Sequence, residues 1–172
     1  GKPTGMAAVL SLPDEALVEI CEIAGVDIAN LNAPGQVVIS GPLDALETAT
    51  ALAKERGARR VMPLQVSAAF HSRWMESMSS KFAKSINATH FADPIMPVVA
   101  NVTARPVQHP DEIKRLLREQ TYSPVRWIES VQYMVEHHVD TFVEIGPGKV
   151  LSGLIKRIAP DARTFSSEDL LA

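Results

Sequence analysis

The sequence holds a single cysteine, Cys21, among 172 residues. No disulfide can close within the chain, and such usage fits a reducing compartment, so a cytoplasmic location is expected. No apolar run approaches the roughly 20 residues that a membrane-spanning helix needs. The opening GKPTGMAAVL has neither the apolar stretch nor the cleavage pattern of a secretory signal. It also starts without Met, and the chain is expected to be processed or cut from something longer. There is no basic excess: Lys and Arg number 17 against 20 Asp and Glu, a net charge of −3. That argues against a nucleic-acid surface. The histidines at 71, 90, 109, 137 and 138 fall in no HxxxH pattern, and one cysteine makes no CxxC, so a metal centre is not expected. Neither GxxxxGK[ST] nor GxGxxG occurs. Gly146-Pro147-Gly148-Lys149 reads as a tight turn, or as a turn bordering a cleft at a strand end. No GxSxG nucleophile elbow is present, and Ser152 in VLSGL falls inside a helix.

Against these absences, 46% of the residues are apolar, enough to bury a core. Thr4–Leu10 reads as a strand. Ser11 is expected to cap a helix with Pro13 and Asp14 in its first turn. Ala16, Leu17, Ile20, Cys21 and Ala24 recur at helical spacing, and Gly25 stops the run. Cys21 is thereby placed in the core. Val26–Leu31 is a second apolar run, Asn32-Ala33-Pro34-Gly35 a turn, and Gln36–Ser40 a β-branched strand. Gly41-Pro42 opens a helix with Ala45, Leu46, Ala49, Leu52 and Ala53 on one face. A fourth strand is expected over Arg59–Leu64. The order β-α-β-β-α-β is that of a split-βαβ, ferredoxin-like unit, placed at residues 1–66.

From residue 67 the texture changes. Trp74, Met75, Met78, Phe82 and Ile86 form a helical stripe, broken by Asp93-Pro94 and Met96-Pro97. Val98–Val102 reads as a strand. Helices are expected from His109-Pro110-Asp111 and from Ser123-Pro124, then a strand over Thr141–Ile145, a helix carrying Val150 to Ile158, and a last strand near Arg163–Ser166. Residues 67–172 are thus α/β in character. Their strands are few for their helices, so the segment reads as part of a larger sheet whose other strands precede residue 1. An edge left open in this way pairs readily with another chain, and self-association is expected.

The stretch QVSAAFHSRWM, Gln65 to Met75, joins the two parts. Small residues lead to His71 at the junction of strand and helix. A lone histidine there is either structural or a base able to take and return a proton near neutral pH. Ser67 and Ser72 stand too near it in the sequence to be its partners in a triad, so a base candidate is present without an obvious nucleophile.

Five segments together carry a resemblance: GMAAVL at Gly5, NLNAPGQVVISG at Asn30, AAFHSRWM at Ala68, QTYSPVRW at Gln120 and EIGPGKVLSGLIKRI at Glu144. In order and spacing they resemble the malonyl-CoA:acyl carrier protein transacylases and the acyltransferase domains of polyketide and fatty acid synthases. The resemblance implies a ferredoxin-like small subdomain within an α/β-hydrolase-like large one. It implies malonyl transfer from malonyl-CoA to the phosphopantetheine thiol of acyl carrier protein, by a ping-pong mechanism without a cofactor. The activating histidine falls on His71, and the backbone carbonyl that orients it on Gln120. Phe70 goes with malonyl rather than methylmalonyl selection. Asn32 and Gln36 fall on cleft-lining positions, with a turn-stabilising role the alternative. Arg56, Arg59 and Arg60 form a basic cluster, either a solvated helix end or a docking patch for an acidic carrier protein. The family's nucleophilic serine, its carboxylate-binding arginine and its oxyanion loop fall outside these residues, so this chain alone is expected to be inert. Two alternatives stand beside this reading: a non-catalytic ferredoxin-like module that binds carrier protein, and an acyltransferase serving a polyketide synthase or malonate decarboxylase.

Overall fold

The computed structural model describes residues 2–171. Its first part runs β1 (Thr4–Leu10), α1 (Asp14–Ala24), β2 (Asp27–Ala33), β3 (Gln36–Pro42), α2 (Leu43–Glu55) and β4 (Arg60–Pro63). The four strands form one antiparallel sheet in the order β2-β3-β1-β4. The run GMAAVL is apolar throughout because both faces of β1 are covered. Ala7 and Val9 join the cluster with Leu17, Ile20, Cys21, Leu46, Ala49 and Ala53 of the two helices. Met6 and Ala8, one residue out of phase, join Ala29 and Val38 on the opposite face.

The expected starts and stops hold in part. Gly25 ends α1 with φ +74° and gives its N–H to the Cys21 carbonyl, 2.9 Å away. Ser11 does not cap α1; the N-cap is Pro13, which has no side-chain donor or acceptor. Ser11 instead takes φ +60° and donates its N–H to the Gly35 carbonyl at 2.8 Å. This ties the exit of β1 to the β2–β3 turn. That turn is confined to Pro34-Gly35, because Ala33 pairs with Gln36 and carries Asn32, at an irregularity in the register, into β2.

The second part holds a 3-10 turn (Arg73–Met75), α3 (Glu76–Ala88), β5 (Val98–Ala100), β6 (Arg105–Val107), α4 (Pro110–Gln120), α5 (Trp127–Glu136), β7 (Thr141–Glu144), α6 (Val150–Ile158), β8 (Arg163–Ser166) and α7 (Ser167–Leu171). β5 and β6 make a short antiparallel pair, where one longer strand over Val98–Val102 was expected. α5 starts at Trp127 rather than at Ser123-Pro124. The residues ahead of it dock on the outer edge of β2 instead: Val125 donates to the Ala29 carbonyl at 2.8 Å, and Leu31 donates to the Val125 carbonyl at 2.9 Å. β7 and β8 are parallel, with Val143 opposite Phe165. Arg157 of α6 reaches across to the first part, donating to the Gln36 side-chain oxygen and to the Pro34 carbonyl.

Candidate functional site

After β4 the chain leaves regular structure at Leu64 and regains it at Arg73. It is moored along the way. Ala69 donates its N–H to the Thr4 hydroxyl on β1, 3.2 Å away, and the Ser72 hydroxyl donates back to the Ala69 carbonyl. Arg73 donates its N–H to Asp27 on β2, 2.8 Å away. Between these moorings His71 adopts φ +60°, a left-handed conformation that costs a non-glycine residue about 1–3 kcal/mol. Such a cost persists only where surrounding contacts over-determine it.

Those contacts come from the end of α4. The last carbonyls of a helix have no partner within it. The Thr121 carbonyl accepts the His71 N–H at 3.1 Å. The Gln120 carbonyl lies 2.8 Å from His71 Nδ1. A carbonyl can only accept, so Nδ1 carries the hydrogen and, in the neutral imidazole, Nε2 is left with a free lone pair. The Gln120 amide nitrogen also stands 3.4 Å from Nδ1, but two donors do not bond; it donates instead to the Ser123 carbonyl at 3.0 Å. Thus helix α4 presents two carbonyls, the negative end of its dipole, to one half-buried histidine.

The other candidate residues divide into two groups. Phe70 stands next to His71 and is 41% exposed. Gln36 lies opposite Leu10, at the far end of β1 from the Thr4 mooring, and Asn32 is in β2 beside it. A seven-residue strand puts that end roughly 20 Å from Thr4. Arg60 also pairs with Leu10, and Arg59 gives its N–H to the Leu10 carbonyl at 3.0 Å. Arg56 is ion-paired with Glu19 on α1. Asn32, Gln36 and the three arginines therefore gather at one end of the sheet, and His71 with Phe70 at the other.

The turn Gly146-Pro147-Gly148 is built for structure. Gly146 and Gly148 have φ +132° and +86°. The N-terminus of α6, where a phosphate would bind, is occupied by the chain's own carboxylate. Glu144 accepts the N–H of Ser152 at 2.8 Å and of Leu151 at 2.9 Å. These bonds, with the Ser152 amide foremost, hold its carboxyl below the usual range. Cys21 is buried in the first core, and burial, helped by Asp27 and Glu22, pushes its thiol up to about 12. Among the described residues, no three of His, Cys, Asp and Glu gather as a metal site would require. No described helix is long and apolar enough to cross a membrane.

Thr4, Asp27, Thr121 and Arg157 carry no signal of these contacts in the sequence itself. Thr121 lies within QTYSPVRW and so was within reach of that motif. Asp27 and Thr4 meet the hinge from 46 and 65 residues away, and no local pattern marks them.

An imidazole whose Nδ1–H is fixed by a backbone carbonyl, leaving the Nε2 lone pair to accept, is an arrangement suited to proton transfer during acyl exchange. The chain belongs to the acyl transferase domain family, whose profile matches residues 2–171. It is 43% identical over 169 residues to the malonyl CoA-acyl carrier protein transacylase of Bacillus subtilis, a match covering 95% of this chain and 53% of that protein. It superposes with a TM-score of 0.93, at 40% identity, on an acyl carrier protein S-malonyltransferase from Vibrio cholerae, covering 98% of this chain and 58% of the other. A malonyl-transacylase solved in complex with its type II polyketide synthase acyl-carrier protein matches with a TM-score of 0.90 and 36% identity, covering 96% and 54%. The chain thus spans about half the length of the relatives it matches.

Proposed function

We propose that these residues supply the base of a malonyl-CoA:acyl carrier protein transacylase. The observation that carries this reading is the His71 ring held by the Gln120 carbonyl through Nδ1. In the proposed cycle, Nε2 takes the proton of a serine hydroxyl supplied from outside these residues. The serine oxygen bonds to the malonyl thioester carbon, and the tetrahedral intermediate collapses as the C–S bond to CoA breaks. Nε2 returns its proton to the departing thiolate. The phosphopantetheine thiol of acyl carrier protein then repeats the sequence on the malonyl-serine ester. The reaction moves only a proton and an acyl group, so no redox cofactor enters it.

Within this reading, residues 1–66 are a ferredoxin-like small subdomain and 67–172 the C-terminal part of an α/β-hydrolase-like large one. Phe70 borders the acyl group, Asn32 and Gln36 line the cleft, and Arg56, Arg59 and Arg60 steer an acidic carrier protein. The distance between His71 and the Gln36 end of the sheet suits a long pantetheine arm better than the acyl group itself. A polyketide pathway is the second reading, and the solved transacylase with a polyketide carrier protein favours it.

The test is malonyl transfer to holo acyl carrier protein. Residues 1–172 alone are expected to give none. Fused behind the N-terminal portion of the Bacillus subtilis relative, they are expected to give transfer that falls about 10²–10⁴-fold in His71→Ala. A fusion whose activity survived His71→Ala would sink the assignment, and turnover by residues 1–172 alone would overturn the need for an outside serine.

A further inference from the structure

Asp27 stands on β2, opposite Ser40 in the sheet register, far from His71 in sequence. Its side chain is 23% exposed, and it spends both oxygens on one residue. Oδ2 accepts the backbone N–H of Arg73 at 2.8 Å, and Oδ1 accepts Nε at 2.9 Å and also Nη2. Arg73 opens the 3-10 turn that leads into α3, and neither has a side-chain cap of its own. The neighbouring Ser72, which could have capped it, turns its hydroxyl to Ala69 instead. The amides at the start of a helical run need an acceptor. Here it comes from another element, two residues past His71.

The consequence lies in the span between the moorings. Ala69 is tied to Thr4 on β1, and Arg73 to Asp27 on β2, with β3 between those strands. The hinge therefore bridges two strand spacings, roughly 10 Å, with His71 at its midpoint in a left-handed conformation. Release of the Asp27 end frees the 3-10 turn and lets that backbone relax. The ring then loses its alignment on the Gln120 carbonyl.

We propose that Asp27 is a positioning residue for His71, acting through the backbone amide of Arg73 and not through the exposed guanidinium. The interest of the device rests on His71 being the base, but its test does not. The probe is the long-range ¹H–¹⁵N spectrum of the histidine rings in the 172-residue protein, with His71→Ala giving the assignment. In the parent, His71 shows a single Nδ1–H tautomer. His137, whose Nδ1 sits 2.8 Å from the Tyr133 carbonyl, gives an internal control for folding. Asp27→Ala is expected to mix the His71 tautomers and to speed exchange of its Nδ1 proton about fivefold, the loss of one hydrogen bond, leaving His137 unchanged.

Two substitutions at position 73 separate amide from guanidinium. Arg73→Ala keeps the amide and is expected to leave the His71 spectrum intact. Arg73→Pro removes it at a first helical position, where proline is favoured, and Ser72 is already extended at φ −140° and ψ 164°. It is expected to reproduce Asp27→Ala. If Asp27→Ala loses the His137 signal as well, the chain has unfolded and Arg73→Pro decides. An unchanged His71 ring in Arg73→Pro, or in a folded Asp27→Ala, overturns the proposal. So does an Arg73→Ala that disturbs the ring as much as Arg73→Pro. Since no acyl transfer is read, failure here is distinct from failure of His71 as base, which the fusion assay reports.

Discussion

Phe70 and His71 are adjacent, yet one is held by nothing specific and the other by contacts at its amide and its ring. A free ring beside a fixed imidazole can act only through its bulk. Replacing Phe70 by Ala in the active fusion is expected to raise the methylmalonyl-to-malonyl ratio of kcat/KM about tenfold, since one methyl group decides no more than about 1–3 kcal/mol. Competition between the two thioesters measures it, and an unchanged ratio would remove Phe70 from the acyl pocket. Cys21 gives a second residue-scale test. Its thiol is buried and pushed up to about 12, so almost no thiolate exists near neutral pH. A thiol reagent at pH 8 is expected to label it only after unfolding; labelling of the native chain would contradict the packing of α1.

Among the elements, α6 depends on Glu144 for its start. The carboxyl is held below its ordinary value of 4.5 by hydrogen bonds from amides that are made only in the folded chain. Stability from it is present above that ordinary value and is lost as pH falls through the lower, folded one. Glu144→Ala is expected to lower the melting temperature at pH 7 and to flatten its decline in acid. A melting curve with the acid slope of the parent would refute the linkage. The elements also differ in how openly the sequence announces them. Helices α1 and α2 and the strand QVVIS are legible because periodicity and packing agree. β6 is hidden, since RPV is short and carries a proline. α5 starts late because Val125 finds β2, a tertiary contact that overrides the signal of Ser123-Pro124. In the same way His71 stands out by its place on the hinge, whereas Asp27 becomes visible only once β2 and the 3-10 turn meet.

At the scale of the whole molecule, β7 and β8 are a two-stranded parallel pair, and parallel sheets are ordinarily covered on both faces. Val143 and Phe165, opposite each other, are 41% and 37% exposed, and Ile145 is 81% exposed. The 172-residue chain is therefore expected to self-associate, with a light-scattering mass that rises with concentration and falls in Val143→Lys. A monodisperse monomer would count against it. Arg157 links the two parts of the chain through Gln36 and Pro34. Arg157→Ala is expected to cost about 1 kcal/mol in urea denaturation, and no loss would show the clasp to be idle.

The acceptor for the His71 ring belongs to the peptide backbone, and this has a genetic consequence. No side-chain substitution at position 120 can delete a carbonyl. Drift at that codon leaves the orientation of the imidazole intact so long as helix α4 still ends there. Under the proposed function, a mutational scan would record His71 as intolerant and pass over its partner, whose contribution is written into where a helix stops and not into which amino acid stops it.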